Sequence, residues 1–161
     1  MEAIAIRPFT SADADWVVAR HGALYPQEAG FDDSFGKLVG EIVADFVATH
    51  DPACERGWIA EREGARLGCI FCVRLEGEVA KLRLFLVEPE VRGTGLGRRL
   101  LETCLAFTKA SGYRRLRLWT HESHRAACAL YMARGFTCES SVPVRSYGQA
   151  LIEQSWTIEL G

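Results

Sequence analysis

The residues whose types and spacing carry the clearest chemistry are Arg92-Gly93-Thr94-Gly95-Leu96-Gly97, set between a strand-like run and an amphipathic helical one. Glycines let backbone amides approach an anion closely, and the start of the following helix adds partial positive charge. Arg98 and Arg99 fall in that helix's first turn, where the macrodipole opposes each cation by about 0.3–1 kcal/mol. A bound anion reverses that penalty, so the arrangement suits a phosphate-rich ligand. A tight turn, with glycine for geometry and arginine for solubility, accounts for the same residues. Two familiar nucleotide loops do not fit. A P-loop needs Lys-Ser/Thr after its last glycine, where this chain has Arg98-Arg99. The dinucleotide fingerprint fails at Arg98, and the loop follows the fourth strand instead of opening a βαβ unit.

The charge distribution points the same way. The 161 residues carry a formal charge of −2, yet residues 92–117 hold six Arg, one Lys and one Glu, or +6, leaving −8 elsewhere. A uniformly basic nucleic-acid surface is therefore not expected, whereas a local anion site is. The composition, 48% hydrophobic and 25% charged, is that of a globular chain and not of a disordered one. No apolar run approaches the roughly 18 residues of a membrane span, and the N-terminus lacks a signal-peptide pattern, so a cytoplasmic protein is expected. Among six cysteines, Cys69 and Cys72 have C-x₂-C spacing inside the apolar run LGCIFCV. Residues three apart on a strand face opposite sides, so free, mostly buried thiols are expected there instead of a zinc knuckle. His121 and His124 form H-x-x-H with no further ligands nearby, and no metal is expected.

These residues need a frame to position them. AIAIRPF (3–9) alternates as a strand, and Thr10 to Asp13 fits a capping box opening a helix over 11–24 that ends near Pro26. Asp32 to Ser34 offers N-caps for a helix over 35–49 with Leu38, Ile42, Phe46 and Val47 on one face. Glycine turns separate strands at 57–63, 67–75 and 79–87, an antiparallel meander whose last member is apolar on both faces. A helix over 96–110, a strand over 113–120 and a helix over 123–134 follow. Strands at 136–142 and 150–160, joined by a loop over 143–149, close the chain. The order β-α-α-β-β-β-α-β-α-β-β predicts one mixed α/β (α+β) domain over residues 1–161.

Arg92-x-x-Gly95-x-Gly97 resembles the Q/R-x-x-G-x-G/A signature of the GNAT superfamily of N-acetyltransferases. The aromatic strand followed by a helix ending in Tyr131-x-x-x-Gly135-Phe136 is similar to a second motif of that family, and the element order matches along the whole chain. Through HGALY, AKLRLFLVEPEVRG and LWTHESHRAA the likeness is closest to the acetyltransferase halves of MarR–GNAT fusion regulators. The chain has no room for the MarR half, so DNA binding is not implied. The resemblance implies a mostly antiparallel central sheet of about seven strands flanked by about four helices. It also implies acetyl-CoA as co-substrate and a small-molecule amine as acceptor, with neither nucleic acid nor membrane as partner. By analogy with relatives, the edge strands and the segment LIEQSWTIEL could support a homodimer.

Carried over residue by residue, the resemblance implies that backbone groups near Leu84–Val87, Leu86 and Val87 above all, pair with the pantetheine arm. Arg92, Gly93, Thr94, Gly95, Leu96, Gly97 and Arg98 would hold the pyrophosphate. Tyr131 would be the acid that protonates the departing thiolate, its ordinary pKa of about 10 keeping that proton at neutral pH. Packing beside Phe136 as a core aromatic is the alternative role for Tyr131. Many relatives carry Asn where His121 stands, and His121 would replace that cofactor contact; His124 is expected on a helix surface. The acceptor pocket would draw on His21, Tyr25, Glu28, Phe31 and Tyr147, with Arg145 as a candidate carboxylate clamp. Glu28, His21 and Glu122 are candidates to take the amine's proton. Cys128 could suggest an acyl-cysteine route, but no His/Asp setting supports it. A non-catalytic acyl-CoA-binding sensor and a protein-lysine acetyltransferase remain alternatives to a small-molecule enzyme.

Overall fold

The computed structural model describes residues 3–161. Its strands form a seven-stranded sheet in the order β1-β2-β3-β4-β5-β7-β6. These strands are β1 (Ala5–Pro8), β2 (Arg56–Arg62), β3 (Ala65–Glu76), β4 (Val79–Val87), β5 (Arg115–His121), β6 (Thr137–Ser146) and β7 (Gln149–Glu159). All neighbours pair antiparallel except β4 and β5. Four helices, α1 (Ala14–Ala29), α2 (Asp33–Thr49), α3 (Leu96–Ala110) and α4 (Arg125–Arg134), cover the sheet. The parallel β4–β5 pair requires a crossover, which α3 provides.

One core cluster joins Leu100, Leu101 and Cys104 of α3 and Tyr131 of α4 to one sheet face; the other joins Val17 and Leu24 of α1 and Val39, Val43 and Phe46 of α2 to the opposite face. Cys69 lies in the second cluster and Cys72 in the first, as the two-residue period of a strand demands. The buried stripe of α2 is thus Val39, Val43 and Phe46, while Leu38 and Val47, expected in its core face, are partly exposed.

Two departures from the sequence expectation matter for the site. Helix α1 does not end near Pro26 but runs a turn further and stops at Gly30, whose φ of 70° suits glycine. The reason is tertiary: Gly22 and Gly36 let α1 and α2 approach closely, and packing of Tyr25 beyond that contact holds the helix past the proline. The loop expected over 143–149 is instead mostly strand. Strands β6 and β7 pair as far as Ser146 and Gln149, leaving only Tyr147 (φ 55°) and Gly148 (φ 75°) as a two-residue turn. Pro143 is tolerated because β6 is an edge strand whose amide there needs no partner.

Strand β4 carries the distortion that makes a site. Leu84 adopts φ 54°, and the β3–β4 register slips at that point. The extra residue flips the alternation. Ala80 and Leu82 face the α3 side before the bulge, whereas Leu86 faces the α1–α2 side after it. Strands β4 and β5 also pair only over Val79–Lys81 and Arg115–Arg117, so their C-terminal ends splay apart.

Candidate active site

The splay between β4 and β5 opens into a cavity of about 270 Å³. Strand β4 lines it with Lys81 to Phe85, β5 with Trp119, Thr120 and His121, and α4 with His124, Ala127 and Tyr131. The first two helices add His21, Tyr25 and Phe35, their connection adds Phe31, and the hairpin adds Tyr147 and Glu153. A smaller cavity of about 160 Å³ lies beside α2 and shares Ile42, Arg83 and Leu84 with it.

Tyr131 is only 3% exposed and packs against Phe136 and Phe85, with ring centroids 5.4 and 6.4 Å away. Burial pushes its phenol pKa well up. Its hydroxyl is not among the buried polar atoms cut off from solvent, and no protein group bonds it among the described residues, so it is open to the cavity. Tyr131 is therefore both a core aromatic and a cavity group.

The expected acceptor residues His21, Tyr25, Phe31 and Tyr147 come together as a stack of rings. Tyr25 lies 5.7 Å from His21 and 5.6 Å from Phe31, and Phe31 lies 4.8 Å from Tyr147. His21 is 1% exposed; its Nδ1 donates to the Val17 carbonyl at 2.8 Å, which leaves Nε2 as an acceptor without a partner. Burial lowers its pKa to about 4, so it is neutral at pH 7. Burial also raises Tyr25 to about 12. His124 is not on an outer helix surface as expected. It packs 5.1 Å from Tyr25 in the cavity wall, and burial first, then His121, lowers its pKa to about 4. His121 lines the same cavity, 5.7 Å from Phe31, and burial lowers its pKa.

Glu28 stands apart from these rings. Its exposed carboxylate accepts two bonds from the Arg92 guanidinium at 2.8 and 2.9 Å, which holds it below its ordinary pKa. Arg92 also donates through Nε to the Val87 carbonyl at 3.1 Å. Arg145 and Glu122 are exposed and do not line the cavity. Cys128 is half-buried, its thiol directed at the His121 carbonyl and Gln154. Among the described residues no three metal-ligating side chains cluster.

The glycine loop lies at the other end of the bulged segment. Leu86 is buried and Val87 half-buried. After a short turn at Pro89–Val91, Gly93 and Gly95 take φ of 80° and 88°, and no atom lies within 4 Å of where a Cβ would stand on either. Thr94 uses its hydroxyl on the Val91 carbonyl at 2.6 Å, which leaves its role within the loop structural. Gly95 caps α3, so the amides of Leu96, Gly97 and Arg98 open the helix without intrahelical acceptors. That open space and those free donors fit a pyrophosphate. Arg98 and Arg99 are exposed, and Arg99 also reaches the Ile4 carbonyl at 2.9 Å.

Sequence reasoning missed Lys81, Arg83, Trp119, Phe35 and Glu153 as cavity residues. Two cations alternating inside the apolar run VAKLRLFLV were the signal for the first two; the others had none.

Comparison with known proteins agrees with this geometry. The Acetyltransferase (GNAT) family profile matches residues 15–136, and the chain belongs to that family. A mycothiol acetyltransferase from Thermobispora bispora is 34% identical over 111 residues, which is 69% of this chain and 32% of that protein. The 5-NmdU N-acetyltransferase of Pseudomonas phage PaMx11 is 35% identical over 91 residues, 54% of this chain and 62% of the phage protein. The chain thus spans less than two thirds of these relatives. The structure of yncA from Salmonella typhimurium, solved with its cofactor acetyl-CoA, superposes with a TM-score of 0.82 at 18% identity, over 99% of this chain and 95% of that one. At that identity the likeness concerns the fold.

Proposed function

We propose that residues 1–161 form one acetyltransferase domain. It moves an acetyl group from acetyl-CoA to the amine of a small-molecule or amino-acid-like acceptor, by direct attack in a ternary complex. The observation that carries this reading is Tyr131, a buried residue whose protonated hydroxyl, unbonded among the described residues, opens onto the cavity at the β4–β5 splay. Backbone groups of Leu86 and Val87 and the amides from Gly93 to Arg98 are the proposed binding surface for the cofactor. Arg92 closes that surface toward α1 through Glu28.

In the proposed reaction the amine nitrogen attacks the thioester carbonyl, a C–N bond forms and the C–S bond breaks. Tyr131 gives its proton to the departing sulfur. Of the groups considered for the amine's proton, Glu28 is held by Arg92 outside the cavity, Glu122 is exposed and the Nε2 of His21 is sealed from solvent, so the proposed route for that proton is through water in the cavity. His121 lines the acceptor wall, and its proposed contact is with the end of the cofactor nearest that wall. The narrower kinship with acetyltransferase halves of MarR–GNAT fusions rests on the three segments quoted above, and a homodimer through the edge strands on analogy.

Thiol release from acetyl-CoA with a panel of free amines, and mass detection of the N-acetyl product, tests this reading. Turnover is expected with at least one small amine. Tight acetyl-CoA binding with no turnover on any amine or peptide replaces it with an acyl-CoA sensor. Turnover on peptide lysines alone replaces the small-molecule acceptor with a protein one.

A further inference from the structure

Three arginines elsewhere in this molecule that are about a third exposed are held by carboxylates. Arg7, Arg66 and Arg20 are 31%, 32% and 33% exposed, and each has an Asp13 or Glu88 oxygen at 2.6–2.8 Å. Lys81 and Arg83 break that pattern. Both are half-buried in the cavity wall, and neither has an ion pair or a side-chain hydrogen bond among the described residues. Burial lowers the pKa of each. Desolvating a charge without a counter-ion is costly, so two such groups side by side mark a place where an anion would be stabilised.

The geometry is consistent from every side. Two residues apart on a strand, Lys81 and Arg83 share a face. That face looks toward α1 and α2, because both residues precede the bulge at Leu84. The Lys81 ammonium lies 5.1 Å from the Trp119 ring centre, a weak partner that leaves its charge unneutralised. Facing acids are Glu153 of β7, which lines the cavity, and Asp45 of α2, which lines the smaller cavity beside Arg83; neither reaches ion-pair distance. Lys81, Arg83 and Tyr131 line one and the same cavity of about 270 Å³. An amine placed at Tyr131 therefore shares that cavity with a pair of cations.

We propose that the acceptor of this site carries a carboxylate close to its amine, and that Arg83, with Lys81 beside it, holds that carboxylate. The inference rests on the acetyl-transfer reading above and narrows its acceptor to amino acids and related amino carboxylates. It also moves the expected carboxylate clamp from Arg145, which is exposed outside the cavity, to β4. Lys81 and Arg83 are specificity-determining residues here; the bond-making groups stay those named above.

The test pairs each acceptor with its decarboxylated form: L-phenylalanine with phenethylamine, L-histidine with histamine, L-tryptophan with tryptamine. Both members are assayed for turnover by thiol release, and for binding by calorimetry with the protein saturated in CoA. Charge-assisted hydrogen bonds to a carboxylate predict a preference of about tenfold to a hundredfold for the amino acid, expressed in KM and Kd. Arg83→Gln should narrow that ratio by about tenfold, Lys81→Gln by less, and Arg83→Lys should restore part of it. Equal or better turnover of the decarboxylated amines overturns the carboxylate site while leaving acetyl transfer standing. Selective carboxylate binding without any turnover overturns acetyl transfer while leaving the site standing. No binding and no turnover by any member overturns both. A preference that survives Arg83→Gln and Lys81→Gln in folded protein, checked by melting midpoint, removes the assignment to these residues.

Discussion

The glycine loop after β4 and the cavity at the β4–β5 splay sit at two ends of one bulged strand, and they are built by opposite means. The loop is made of backbone and drawn from six successive residues, among which Gly93 and Gly95 take positive φ in open surroundings. The cavity is made of side chains from residues as far apart as His21 and Glu153, brought in by three helices, three strands and a hairpin turn. A loop that binds through amides tolerates side-chain change but not backbone change. A cavity that works through buried rings and unpaired charges reverses that sensitivity.

The sharpest break of this comparison is Tyr131→Phe. The ring stays packed on Phe136 and Phe85, so the fold should hold while the acid is lost. With general acid catalysis contributing about a hundredfold or more, kcat at saturating acetyl-CoA should fall by that factor with KM for acetyl-CoA little moved. An unchanged kcat in steady-state assays removes the acid role. On the loop side the effect is expected in binding. Gly95→Ala places a side chain at φ 88°, a left-handed conformation that costs an L-residue about 1–2 kcal/mol. Nothing crowds the position, so the cost is conformational, and the loop should relax. KM for acetyl-CoA should rise about tenfold with kcat retained, and a fall in kcat alone contradicts a loop that only binds.

The smallest effect is on pH dependence and separates the buried rings from the exposed loop. His21 has a folded-state pKa of about 4, lowered by burial, against about 6.5 in an unfolded chain. Between those values the unfolded chain takes up a proton that the folded chain does not, so stability rises with pH across that window. The slope from one such imidazole is at most about 1.4 kcal/mol per pH unit. His124 acts in the same direction. Asp13, which Arg7 holds far below the carboxylate range, contributes with the same sign but only below an unfolded pKa of about 3.9. Urea midpoints at pH 5 and pH 7 should therefore differ less in His21→Phe than in the parent, and an unchanged difference contradicts a neutral buried His21.

Much of the frame was legible because it follows from local pattern. The meander over β2, β3 and β4, helix α3 with its buried Leu100, Leu101 and Cys104, and the opposite facing of Cys69 and Cys72 all come from periodicities of 3.6 and 2. The errors fell where neighbours override local signals. Pro26 reads as a stop until α2 packs against α1 through Gly22 and Gly36. The stretch from Pro143 to Ser146 reads as loop until β7 pairs with it, and His124 reads as surface until Tyr25 covers it. For the site, Tyr131 and the loop were legible as motifs, and four of the five expected acceptor residues do line the cavity. Glu28 does not, because Arg92 takes its carboxylate.

The amino-acid sequence by itself determined a glycine loop able to receive an anion, the order of strands and helices, and a tyrosine on the helix after the fifth strand. Each is a property of residues close along the chain. Only the tertiary structure decided that β4 bulges at Leu84, that β4 and β5 part beyond Lys81 and Arg117, and that Lys81 and Arg83 stay unpaired while Arg7, Arg20 and Arg66 find carboxylates. Whether a charge is neutralised depends on which distant acid the fold brings within about 4 Å, and no local pattern carries that distance.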